Sequence, residues 1–118
     1  MNSEMKRIIE YANTLGIVEL PTPSFSYCEK DTYYGFPELV EAAWIIKIYD
    51  NEKEMDIVKG AYINSDYEVM TGQALSYTAF NYKYHLKSLV KKIRKLELDA
   101  KRLEENFRIE KMEKDFNE

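Results

Sequence analysis

The chain has little of the chemistry that catalysis and metal binding require. Of its 118 residues one is cysteine, Cys28, and one is histidine, His85. A zinc site built on those side chains needs three or four of them, so that class is nearly excluded. A Cys–His dyad has equally little support. Cys28 lies in an apolar, aromatic strand pattern, and His85 falls beside a helical seam, so both read as structural side chains. A lone cysteine cannot form an internal disulfide, and a reducing, cytoplasmic setting follows. Glycine numbers four and proline three. There is no Gly-rich phosphate loop, dinucleotide fingerprint or Ser nucleophile motif. The expectation is a protein with no catalytic residues, no metal and no cofactor.

Long apolar runs are missing too. The longest is Ala42-Ala43-Trp44-Ile45-Ile46, far short of the roughly 18 residues of a membrane span. The start of the chain lacks the basic-then-apolar pattern of a secretory signal. No membrane association is expected.

Charge is absent by sign rather than in total. Between residues 69 and 96 there is no acid and there are six bases. Residues 1–68 carry 13 acids and 6 bases, and residues 97–118 carry 8 acids and 5 bases. The net −4 therefore hides three blocks of alternating sign, and the blocks matter more than their sum. Lysine outnumbers arginine 13 to 4. With plentiful Ile, Asn and Tyr, this is a compositional pointer to a bacterium or mobile element of low GC content.

What is present is periodicity. From Leu75 to Phe107 apolar residues recur in steps of four and three, without a glycine or proline between. That is a heptad register, with Leu86, Ile93, Ala100 and Phe107 at one seam position and Leu89, Leu96 and Leu103 at the other. The spacing predicts a long helix from Thr71 to about residue 113, spanning about 64 Å at ~1.5 Å per residue, with a frayed tail over 114–118. In its first part, residues 71–86, Tyr77, Phe80 and Tyr84 occupy the face opposite the seam. A helix apolar on both sides is buried on both sides, so this part is expected inside the folded domain. Residues 86–107 are expected to project as a coiled coil.

The first seventy residues read as a small globular unit. Met5, Ile8, Ile9, Ala12 and Leu15 give a helix over 3–15, with Ser3 able to cap it and Gly16 able to end it. Pro21 and Pro23 break regular structure. Ser24–Cys28 and Thr32–Phe36 suggest short strands, and Pro37 suggests a helix through Ala43. Trp44–Ile48 and Met55–Ile63 read as a β-hairpin around a polar turn, with two helices as the alternative. Asn64–Asp66 is a turn, and Ser65 with Glu68 has capping-box spacing. The fold class is α+β, with all-α as the alternative.

The functional reading is a non-enzymatic protein-binding regulator or inhibitor. It dimerises through Leu86, Leu89, Ile93, Leu96, Ala100, Leu103 and Phe107. An antiparallel pairing sets Lys92 and Lys83 of one copy near Asp99 and Glu104 of the other. The competing reading folds the seam back on Met5, Ile8, Ala12 and Leu15. Ten tyrosines against five phenylalanines favour a recognition surface, since tyrosine pairs contact area with a polar tip. Tyr33, Tyr34, Asp50, Glu52, Glu54 and Asp56 are its candidates, the four acids lying in an expected exposed turn. They lack the glycine and spacing of a calcium loop, and an imitation of phosphate toward a basic partner is the role expected of them. The rival class is a nucleic-acid binder using Lys87, Lys91, Arg94 and Lys95.

Overall fold

The computed structural model describes residues 1–26, 30–76 and 81–117. Helix α1 spans Ser3–Thr14. Its cap is Asn2 rather than Ser3, because the Asn2 carboxamide oxygen accepts the Met5 amide at 2.8 Å and satisfies a donor that the helix leaves orphaned. Gly16 ends the helix at φ +88°. The Gly16 and Ile17 amides return to the Asn13 and Ala12 carbonyls at 3.1 Å each, a closure that needs the left-handed backbone glycine adopts without strain.

Five strands follow: β1 Val18–Leu20, β2 Thr32–Gly35, β3 Ile46–Ile48, β4 Met55–Ile63 and β5 Val69–Ser76. They form one antiparallel sheet in the order β1-β2-β3-β4-β5. Helix α2, Tyr82–Asn117, closes the chain. The class is α+β, and the sheet excludes the all-α alternative.

The pleat assigns every strand residue to one of two faces. Tyr34 pairs with Ile46 and Ile46 with Ile57, so these share a face; Tyr33, Lys47 and Asp56 share the other. The first row joins Met5, Ile8 and Ala12 of α1 and Leu86, Leu89 and Ile93 of α2 in one core. Helix α2 lies against β4 and β5, with α1 beside it. His85 fixes its first turn: Nε2 lies 2.9 Å from the Val58 carbonyl. A carbonyl only accepts, so Nε2 carries the proton.

Several expectations are corrected. The long helix does not begin at Thr71. Residues 69–76 are β5, paired along nearly the whole of β4, so the division at residue 70 cuts through a hairpin. The turn before β5 is made by Asn64. Its side-chain oxygen accepts the Asp66 and Glu68 amides at 2.9 Å each; Glu68 is thereby a turn residue, and no capping box forms. No helix follows Pro37. Two separate turns stand there, closed by Leu39 N–H on the Phe36 carbonyl and Ala43 N–H on the Val40 carbonyl, with Pro37 at the position its fixed φ favours. Residues 24–26 are a turn rather than a strand; Ser26 N–H reaches the Pro23 carbonyl at 3.0 Å. Tyr84 is exposed at the start of α2, not buried. Cys28, Tyr77 and Phe80 lie outside the described residues. At the other end α2 continues to Asn117, past the expected stop near 113.

The seam divides. Leu86, Leu89, Ile93 and Ala100 are buried within the chain's own core and offer nothing to a second copy in this fold. Leu96 is half-buried, and Leu103 and Phe107 are exposed. The Phe107 ring still meets Tyr67 of the β4–β5 turn at 6.0 Å. Beyond it α2 projects, which gives the molecule its 63 × 30 × 20 Å outline.

Candidate protein-interaction surface

The face of the sheet opposite the helices carries an aromatic and charged group assembled from four segments. Tyr33 of β2 is buried at its centre. The Trp44 ring meets it edge-on at 5.5 Å, and the Phe25 ring at 6.0 Å. The Tyr33 hydroxyl is 3.4 Å from Ser26 Oγ. Phe25 itself is exposed and Trp44 half-buried. Lys47 stands across the sheet from Tyr33, its ammonium 5.6 Å from that ring and 4.4 Å from the Tyr49 ring. Asp31, buried, holds the same ammonium at 3.6 Å with one oxygen and accepts the Asp50 amide at 3.0 Å with the other.

Tyr49 donates its hydroxyl to Asp56. That hydrogen bond, with burial adding to it, pushes the phenol up to about 12. Ionising Tyr49 would break the bond and place two negative charges together.

The sequence candidates separate around this group. Tyr33 and Asp56 belong to it, and Asp50 touches its edge. Asp56 lies half-buried in β4 rather than in an exposed turn. Tyr34 does not belong. It is buried on the helix side, where burial first and Glu19 second raise its pKa. Glu54 is an exposed turn residue. Glu52, also exposed, takes the N-terminal ammonium at 2.9 Å, and this contact lowers its pKa. Asn51 builds the turn by accepting the Lys53 and Glu54 amides. Asp56 and Glu52 are thus engaged within the chain, by Tyr49 and by the N-terminus. The resemblance to a row of free phosphates is correspondingly weak.

A second concavity was not read from the sequence. Leu20, Pro21, Pro23, Phe36, Pro37, Leu39 and Val40 line an open apolar cleft of about 370 Å³ beside β1. All three prolines of the chain are there, and that clustering around Phe36 is the signal that could have found it. Glu41 ties one rim by accepting from the Ser24 amide and hydroxyl.

The basic segment separates as well. The Arg94 guanidinium stacks on Phe36 at 3.9 Å and bonds both Glu38 and Glu97. It fastens α2 to the loop after β2 and is already neutralised. Lys87, Lys91 and Lys95 are exposed, and among the described residues none of the three forms an ion pair. Among the described residues no group of three or more His, Cys, Asp or Glu side chains is placed to hold a metal ion, and no helix is long and apolar enough to cross a membrane.

These features define a class by architecture: an up-and-down antiparallel sheet with helices on one face and a loop-flanked aromatic group on the other. Compared with protein-family models, curated proteins and solved structures, the chain matches none.

Proposed function

We propose that the chain is a non-enzymatic protein-binding regulator or inhibitor that meets its partner with the open face of the sheet. The Phe25–Tyr33–Trp44 group carries this reading. Partly exposed aromatic rings resting on a rigid strand lose little entropy on binding and act as anchors. In the turns that flank the strands of this face Asp50, Glu52 and Glu54 are exposed acids, against the exposed bases Lys30 and Lys53. A basic protein surface is the matching partner, with charge setting encounter and register more than affinity.

The test begins with capture of the partner from native cells and a binding curve for the purified pair. Phe25→Ala should weaken binding by about 2 kcal/mol, a hot-spot effect, and lower the melting temperature only slightly, because the ring is 44% exposed and its contact within the chain is the edge of Tyr33. Added salt should slow association. Full affinity in Phe25→Ala, and in a variant with Asp50 and Glu54 neutralised, would remove the sheet face from consideration. The nucleic-acid reading has lost Arg94 to Glu38 and Glu97. A gel-shift series in salt decides it, with no retained DNA or RNA expected at moderate ionic strength.

A further inference from the structure

Helix α2 carries a second apolar register on the side turned away from the sheet. Leu98, Ile109 and Met112 are 61%, 54% and 60% exposed. With Arg102 and Glu105, also exposed, they follow the steps four, three, four, three over residues 98–112. At about 100° per residue this row lies roughly opposite Leu96, Ala100, Leu103 and Phe107. It is a heptad seam distinct from the one the core consumes, and its two central positions are charges of opposite sign.

We infer that this outer row is a self-association surface, and that two copies pair antiparallel through residues 95–112 with paired numbers summing to 207. In that register Leu98 meets Ile109 of the second copy, and Arg102 meets Glu105 of the second copy. Each contact occurs twice by the two-fold symmetry. Lys95 lays its aliphatic stem over Met112 of the second copy and keeps its ammonium in water. On the flank, Lys92 approaches Glu113 of the second copy. A parallel pair would set Arg102 against Arg102 and Glu105 against Glu105, so the charges at the seam choose the orientation. The like-charge approach in the antiparallel pair is Arg108 toward Lys101, and Glu104 of the same chain already holds Arg108 at 2.8 Å. The sheet covers the opposite side of α2, so the outer row is free of the sheet and the two sheets fall on opposite sides of the helix pair. This surface is separate from the sheet face, and either can fail without the other.

Sedimentation equilibrium of the full chain from about 1 to about 500 µM, the range of weak specific association, should show a monomer–dimer equilibrium. Arg102→Glu alone, and Glu105→Arg alone, should each weaken it by about tenfold or more, since each sets like charges face to face at two places. The double exchange should restore it. All three variants change exposed side chains, and unchanged thermal melts confirm that they fold. With Cys28 replaced by serine, Leu98→Cys and Ile109→Cys together should cross-link between copies on oxidation. Within one chain these positions are about 16 Å apart along the helix, beyond disulfide reach. A monomer at every concentration, a dimer indifferent to the single charge reversals, or a double exchange that fails to restore pairing would each overturn the inference.

Discussion

The two halves of α2 have the same periodicity and different surroundings. Up to Ile93 the seam is sealed: Leu86 and Ile93 have no exposed surface. Further along, the same register leaves Leu103 and Phe107 half in water, and Leu98, Ile109 and Met112 stand out on the other side. Nothing in the heptad marks the change. It occurs where the sheet ends, because Phe107 touches the last turn of that sheet through Tyr67. A seven-residue repeat states that a stripe needs cover. It does not state whether the cover is a sheet, a second helix or a second molecule.

The sharpest way to break this contrast is at Ile93. Ile93→Ala should cost about 2–5 kcal/mol in a denaturant titration, the range for emptying a buried aliphatic site. A loss below about 1 kcal/mol would mean that the proximal half is covered no better than the distal one.

A smaller effect is expected at Arg94, which ties the proximal half to the loop after β2. The hydrogen bond from Arg94 holds Glu38 below the ordinary carboxylate value of 4.5. A depressed folded pKa gives stability that is present above 4.5 and lost as the pH falls through the folded value. Both partners are about half exposed, so Arg94→Ala should cost less than about 1 kcal/mol at neutral pH. It should also flatten the decline of the melting temperature in the acid range. An unchanged acid slope would show that the pair contributes nothing in solution.

The smallest effect belongs to the distal half. Leu103→Ala should move the stability of the monomer by no more than about 0.5 kcal/mol, the ordinary range for surface positions. A loss approaching that of Ile93→Ala would show that the core extends a full turn beyond Ala100.

Sequence reading was most informative where a local rule acted alone. Gly16 ends α1 at its expected stop, because left-handed closure is a local need; the cap falls one residue earlier than expected, at Asn2 instead of Ser3. The alternation through Ile46, Ile48, Met55 and Ile57 marks a hairpin because each residue has only two faces to choose from. It misled at β5. Leu75 fits the heptad, yet Thr71 and Val69 pair with Ala61 and Ile63. Pairing with a nine-residue strand outweighed a periodic coincidence. The interaction surface was half legible. Tyr33 and Tyr34 are neighbours of one type, and only strand pairing puts one under the helices and the other under Trp44. Phe25 and the proline-lined cleft depend on loops meeting across the sheet, which no window of sequence contains.

The order of elements has a consequence for synthesis. Every strand precedes α2 in the chain, so the ribosome releases the row of Tyr34, Ile46 and Ile57 before the helix that covers it exists. Ile93 is made about 36 residues after Ile57, roughly 2–7 s later at translation rates of ~5–20 residues per second. During that interval the sheet has neighbours for its backbone but only α1 over its apolar face. The nascent chain therefore depends on its final third to become self-contained, and chains cut short within α2 are the ones that chaperones and proteases should meet.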